Sequence, residues 1–286
     1  MLNGAESFAV VGAGTLSLPI LNALAAASAK DTSIILLSRP GSSTKTGIPP
    51  NVQVVQVDFT DAAAVAAVLQ AHKVEVVLST IGGAAATAQK PLVDAAKLAW
   101  VKLFVPSEYG HPTDGHTKGV LRAKNEIAEY VKSSGIPSLS IYNGLFIEFI
   151  PWLVDYSQGG KIKVVGKGET PLSVTSIPDV AGFFAHVLTT LPPSELENRI
   201  LRVEGDRSTL NGFAPLFKTS IEHVDSITGE MGEFKTWMQH AMNAGTGSTG
   251  WDARRNAEGT GNDAAGSANA LWPGHKWRSI KEDHNL

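Results

Sequence analysis

The amino-acid sequence predicts a doubly wound α/β fold on three observations. Short apolar runs alternate with helix-like segments through the first half of the chain. A glycine-rich turn joins the first of those runs to the first helix. Of 286 residues, 43% are hydrophobic and 18% charged, which supports a sizeable core in one large domain or a core domain with a lobe.

Each element has a local reason. Ser7–Val11 is a short apolar run ending at Gly12. Leu16–Ala29 is rich in Ala and Leu and suits a helix, with Pro19 in the first turn, where a missing N–H is tolerated. Ser33–Leu37 is β-branched and stops at the turn Ser38-Arg39-Pro40-Gly41. Val52–Val57 is a third strand, and Asp61–His72 a helix with Asp61 as its N-cap. Val74–Ser79 is a strand, Ala86–Ala99 a helix and Val101–Val105 a strand. Val120–Ser134 is a helix closed by Gly135, and Ser138–Tyr142 a sixth strand. Parallel strands need crossovers of this kind.

Beyond Phe146 the alternation loosens. Lys161–Val165 and Ile200–Val203 read as strands, and Asp179–Thr190 as a helix with Pro178 before it and Asp179 as N-cap. Residues 243–270 have a loop composition of Gly, Ala, Asn, Thr and Ser, yet Trp251, Trp272 and Trp277 lie within or just after them. Because Trp gains most from burial, this tail is expected to wrap the domain.

Composition excludes several functions. With no cysteine, the chain has no disulfide, thiolate zinc site or cysteine nucleophile. Nothing in it exploits an oxidising compartment, so a cytoplasmic setting is expected. The balance of 24 Lys and Arg against 27 Asp and Glu, net −3, gives no overall pull toward nucleic acid or an acidic membrane. No apolar run is long enough to span a membrane, and the N-terminus reads as a first strand and not as a signal peptide.

The chemistry begins at Gly12-Ala13-Gly14-Thr15-Leu16-Ser17, between the first strand and the first helix. The dinucleotide pattern is G-x-G-x-x-G: a tight turn, a close backbone approach to the pyrophosphate, and close packing of helix on sheet. Ser17 takes the place of the third glycine. The helix N-terminus then offers N–H groups and a positive dipole end to phosphates. At the end of the second strand an NAD site would carry a carboxylate for the ribose hydroxyl; here Arg39 stands there, followed by Ser42, Ser43 and Lys45. Cations with hydroxyls suit a 2′-phosphate, so NADP(H) is expected over NAD(H). Asp58 and Phe59 follow the third strand, where adenine would lie; Asp58 reads equally as a turn cap. Thr80, Ile81 and Gly82 end the fourth strand, where glycine permits a close backbone approach.

The runs VVLSTIGG…AQKPLVDAAKLAWVKLFVPSEYG and GVLRAKNEIAEYVKSSGIPSLSIYNGLF resemble the NmrA-like and isoflavone-reductase-like branch of the atypical short-chain dehydrogenases. SVTSIPDVAGFFAHVL, ENRILRVEGD and the Trp-rich ending resemble a fungal NmrA-like subgroup. The resemblance implies a Rossmann-type NADP-binding domain over residues 1–145. It also implies a smaller C-terminal substrate lobe over 146–286, partly interleaved with that domain. It implies a catalytic lysine on the helix after the SE(F/Y)G turn, here Lys124, in contact with the nicotinamide ribose and the reacting end of the substrate. It places Tyr142, Asn143, Gly144 and Phe146 beside the nicotinamide. The Tyr-x-x-x-Lys pair of ordinary short-chain dehydrogenases is absent, since Val120 stands four residues before Lys124. That leaves Lys124 and Tyr109 as proton donors.

Tyr109 and His111 lie on the turn after the fifth strand, at an edge where α/β sheets bind ligands. Tyr109 reads as a substrate-orienting or proton-donating group, or as packing under the loop. Phe146, Phe149 and Trp152 form an apolar stretch suited to a flat or aromatic substrate, and Phe149 and Trp152 read equally as core. His275 reads as a hydrogen-bond hub or a pocket residue. His111 and His116 sit on a Gly/Pro loop without helical metal-ligand spacing, and no metal is expected. The expected function is NADPH-dependent reduction of a small aromatic, unsaturated or carbonyl compound. The alternatives are an NADP(H) sensor that binds a regulatory protein, and an isomerase or cyclase on the same fold. A homodimer is compatible with the sequence, which does not give the oligomeric state.

Overall fold

The computed structural model describes residues 4–12, 14–42, 46–117, 119–157 and 160–286. The chain divides into two compact units. The first comprises Met1–Glu108, Gly115–Ser140 and Ala181–Ile200; the second comprises Tyr109–Asp114, Ile141–Val180 and Leu201–Leu286.

The first unit is built on a parallel sheet. Its strands are β1 (Ser7–Val11), β2 (Ser33–Ser38), β3 (Val52–Gln56), β4 (Val76–Ser79) and β5 (Leu103–Val105), in the order β3-β2-β1-β4-β5. The chain therefore moves outward from β1 to β3, then crosses back to β4, so the direction of winding reverses between β1 and β4. Ligands bind at the carboxyl ends of strands beside such a reversal. β1, β2, β4 and β5 are buried through nearly every residue, as expected for strands covered on both faces.

The helices obey local chemistry. α1 (Ser17–Ala27) carries no acidic residue in its first turn. α2 (Ala62–Ala71) is capped by Asp61, whose side chain accepts the Ala64 N–H at 3.0 Å. The expected helix over Ala86–Ala99 is two elements: a 3-10 segment, Gly83–Gln89, and α3 (Lys90–Leu98). Pro91 is the reason. It lacks an N–H and fits the first turn of a helix, so the α-helix begins there. α3 ends with Trp100 in the left-handed region (φ 57°), where the Val101 N–H donates to the Ala96 carbonyl at 3.0 Å. Trp100 is 88% exposed. α4 (Gly119–Ser134) packs on α3 and on the 3-10 segment. Phe104, Leu92, Val93, Ile127 and Val131 belong to the core beneath these helices.

The sixth strand is β6 (Leu139–Tyr142), but it does not extend the sheet. Next to β5 there is a single parallel bridge, Phe104 with Ser138, and one bond from the Phe104 N–H to the Pro137 carbonyl at 2.9 Å. Pro137 has no N–H to continue the ladder.

The second unit contains β7 (Leu145–Phe146), α5 (Ile150–Leu153), β8 (Ile162–Val165) and β9 (Leu172–Thr175). Next comes α6 (Ile177–Thr190), which passes from the second unit into the first, where the Leu188 carbonyl accepts the Ala5 N–H at 3.0 Å. α7 (Pro193–Leu196) and β10 (Arg199–Arg202) follow. β11 (Asp206–Ser208), α8 (Phe213–Leu216), β12 (Ile221–Val224), α9 (Gly232–Asn243) and α10 (Ile280–Asp283) complete the second unit. Its core gathers Leu145, Ile150, Val164, Leu172, Phe213 and Met242.

Asp179 is not the cap of α6. The helix starts two residues earlier because Pro178 fits its first turn, and the Ser176 hydroxyl accepts the Asp179 N–H at 3.2 Å. The Asp179 carboxylate instead accepts from the Arg278 N–H at 2.8 Å and bonds His275 Nε2 at 3.0 Å. His275 stacks on Trp272 at 3.5 Å, so it serves as a hub that fastens the tail within this unit. Trp251, Trp272 and Trp277 are half-buried, while Gly245–Gly250, despite its loop composition, is buried throughout. The Ser173 N–H donates to the Gly247 carbonyl at 3.0 Å, and a Cβ on Gly247 would sit 2.7 Å from the Leu172 Cβ. These glycines permit close packing. Among the described residues no helix is long and apolar enough to cross a membrane.

Candidate active site

In the first unit, Gly12, Arg39 and Thr80 directly follow the adjacent parallel strands β1, β2 and β4. Gly12 has φ 95°, a conformation that excludes other residues at low energy, and its N–H donates to the Leu37 carbonyl at 3.0 Å. The Thr80 hydroxyl donates to the Val11 carbonyl at 2.9 Å, which seats the β4 end against the turn. A Cβ on Gly14 would lie 3.1 Å from the Thr80 carbonyl oxygen. Gly14 and Thr15 are exposed, and Leu16 is buried beneath them. Ser17 is 1% exposed, and its hydroxyl donates to the Gly14 carbonyl at 2.7 Å. The substitution for the third glycine is thus absorbed as a hydrogen bond inside the turn.

Arg39 is exposed at the end of β2, and its carbonyl accepts the Ser42 N–H at 3.1 Å, making a compact turn with half-buried Ser42. Ala13 and Lys45 lie outside the described residues. Asp58 accepts both the N–H and the hydroxyl of Thr60, at 2.9 and 2.8 Å, and these bonds hold its carboxyl below the usual range. It caps a turn, with buried Phe59 beside it. Ile81 is half-buried and Gly82 exposed.

Lys124, on α4, is only 9% exposed. Burial holds its ammonium below the ordinary lysine value, and the negative charge of Glu108 opposes that shift. Glu108, just beyond β5, is fully buried. Glu108 belongs to the PSEYG run, but an acidic residue in a turn carries no sequence sign of burial. Its position relative to Lys124 emerges only in the fold.

In the second unit, Asn143 organises the turn that carries Tyr109 and His111. Its Oδ1 accepts the Gly110 N–H at 2.9 Å, and its own N–H donates to the Gly110 carbonyl at 3.0 Å. Its carbonyl accepts the Thr175 hydroxyl at 2.8 Å. Gly144 has φ 69°, and a Cβ there would strike the Ser173 carbonyl at 2.1 Å. Tyr142 is buried, its hydroxyl 3.5 Å from that of Thr113. Tyr109 is buried, which pushes its phenol up, away from ready ionisation. His111 is half-buried. Phe146, Phe149 and Trp152 form one chain of edge-on rings, at 5.7 and 6.4 Å, which Phe234 and Trp237 extend at 6.1 and 5.8 Å. Phe234 and Trp237 lie too far along the sequence for spacing to associate them with Trp152.

A sequence model of the NmrA-like family matches residues 7–280. The chain belongs to the NmrA-like family. Among curated relatives, "Oxidoreductase aprR" of Aspergillus flavus is 34% identical over 124 residues, which is 40% of this chain and 40% of that protein's own length. "Oxidoreductase BOA1" of Botryotinia fuckeliana is 29% identical over 219 residues, 69% of this chain and 70% of the relative. Among solved structures, the leucoanthocyanidin reductase–NADPH complex from Vitis vinifera superposes with a TM-score of 0.78 at 18% identity, covering 98% of both chains. That likeness establishes the family member's Rossmann-like fold.

Proposed function

We propose that this protein is an NADP-dependent oxidoreductase that uses NADPH to reduce a small aromatic, unsaturated or carbonyl compound. The observation that carries the reading is the burial of Lys124. A buried ammonium is expensive to maintain and contributes little to folding. Beside an electron-accepting substrate it has a use. The names of the fungal relatives and of the NADPH-bound reductase structure support the same class.

The residues at the strand ends suit the cofactor. The first turn of α1 is free of carboxylates, so its dipole end favours pyrophosphate. Arg39 suits a 2′-phosphate. When bound, the cofactor supplies a hydride. The Lys124 ammonium then faces the acceptor oxygen, stabilises the negative charge that develops there and gives up a proton to it. For a carbonyl, carbon gains the hydride and oxygen the proton; NADP+ and a neutral lysine amine remain, and the amine regains its proton from water. Phe146, Phe149 and Trp152 offer ring faces and edges to a flat substrate.

The test pairs binding with turnover. Calorimetric titration should show NADPH and NADP+ binding much more tightly than NADH and NAD+. Lys124→Ala should keep the preference for the phosphorylated pair over NADH and NAD+ and lose about 100-fold or more in reduction of any substrate found by screening, the scale of one general acid. A Lys124→Ala variant with undiminished turnover, or no nucleotide binding at all, would remove the reductase reading. Undiminished function without turnover would favour the non-catalytic sensor that recruits a protein partner.

A further inference from the structure

We propose that Glu108 is a positioning residue for Lys124: the two form a buried ion pair that keeps the lysine protonated and fixes its ammonium for the reaction. Resting on the reductase reading for its consequence in turnover, the inference rests on the fold alone for the pair itself.

The placement comes from the first unit. Among its described residues two ionisable side chains are buried, Glu108 at 0% exposure and Lys124 at 9%. They are of opposite sign. A carboxylate or an ammonium alone in such a place would neutralise, because desolvation of a single ion outweighs any gain from ionising. Opposite charges brought together lessen that cost for each other. The backbone brings them to one place. The Ser107 N–H donates to Gln89 Oε1 at 2.9 Å, which pins the Pro106–Glu108 turn to the 3-10 segment, and that segment packs on α4. The Glu108 N–H closes the turn onto the Pro106 carbonyl at 2.7 Å.

Other charges near α4 are engaged elsewhere. On α3, Asp94 accepts the Tyr130 hydroxyl at 2.7 Å, Lys97 donates to the Ser134 carbonyl at 2.6 Å and Lys90 lies over the Tyr130 ring at 5.5 Å. On α4 itself, Arg122 pairs with Glu126 at 2.7 Å on an exposed face, Glu129 accepts from Asn125 at 3.3 Å, and Lys132 is exposed. His116 is half-buried on the loop that leads into α4. Glu108 is the charge that acts on Lys124 against the effect of burial.

The pair has a functional logic. Burial alone would hand the reaction a neutral amine, which can neither stabilise an oxyanion nor protonate it. Glu108 supplies the opposite charge that favours the ammonium against the effect of burial. Its conservative amide would keep the shape and lose the charge.

The decisive measurement is an NMR titration of ligand-free protein carrying 13C-labelled lysine, with the Lys124 signal identified by its absence in Lys124→Met. In Glu108→Gln the Lys124 midpoint should fall by about one pH unit or more, the effect of losing an adjacent opposite charge. In Glu108→Asp it should fall by less. An unchanged midpoint in Glu108→Gln overturns the pair, whatever the protein's activity. With an assay in hand, Glu108→Gln should lower kcat at alkaline pH about 10-fold and move the alkaline limb of its profile down, with NADPH affinity unchanged. Glu108→Asp should recover most of the rate. A kcat and profile unchanged in Glu108→Gln, with the NMR shift present, would overturn the functional role while leaving the pair. Should Glu108→Gln fail to fold, thermal melting of Glu108→Gln/Lys124→Met decides: an ion pair predicts that the double variant recovers Tm relative to either single one. No recovery overturns it.

Discussion

Arg39 and Lys124 contrast in exposure among the residues of the proposed site. Arg39 is exposed, so removing it leaves the core untouched. Arg39→Ala should weaken NADPH binding about 10- to 100-fold, the worth of one charge-assisted hydrogen bond, and leave NADH binding unchanged. Comparative calorimetry checks both halves. Lys124 is buried, and in the proposed role the sign of its pH dependence follows. Burial holds its ammonium below the ordinary lysine value, so the proton-donating form is lost at lower pH than that of a solvated lysine. The rate of reduction should therefore decline as pH rises through that lowered value, and a pH–kcat series will locate it. The positions of the glycine turn and of Arg39 at the strand ends were legible because they are local: a strand, a turn and the next charge. Lys124 was legible only by resemblance, since Arg122, Glu126 and Glu129 on the same helix make it look solvated. The two backbone roles of Asn143, on Gly110 and through Thr175, were not legible, because they join segments 33 and 32 residues away.

At the level of elements, cap chemistry located one helix start and missed two. Asp61 was identifiable as the N-cap of α2 because a short acceptor precedes an apolar run. Asp61→Ala should cost about 1 kcal/mol, read as a lower urea midpoint with an unchanged slope. Two helix starts were misplaced for one reason. Pro91 and Pro178 were set inside or before a helix, whereas each marks its first turn. At the far end of α3, Trp100 occupies a left-handed position usually given to glycine and leaves its ring in water. Trp100→Gly should stabilise the protein by about 0.5–1 kcal/mol, relief of left-handed strain exceeding the entropy glycine adds to the unfolded chain. The buried run Gly245–Gly250 is the opposite case. Its composition indicated a loop, but composition cannot show that Leu172 presses against it. Gly247→Ala should lower stability by about 1–3 kcal/mol through overpacking, measurable by thermal melting.

Across the whole molecule, the order of segments has a consequence for how the protein is made. All five strands of the parallel sheet have been synthesised once translation passes Val105, yet the first unit also draws on Gly115–Ser140 and Ala181–Ile200. Ala5 bonds to Leu188, and a Cβ on Gly4 would overlap the Thr189 backbone at 2.2 Å, so the very start of the chain is closed by a helix translated nearly last among that unit's parts. Domains usually complete themselves in sequence order at about 5–20 residues per second. Here the nascent sheet must wait, incompletely covered, for about 5–20 seconds of further translation at that pace. Slowing codons between Val105 and Ile200 should lengthen that exposure, and the newborn chain should become correspondingly more dependent on chaperones.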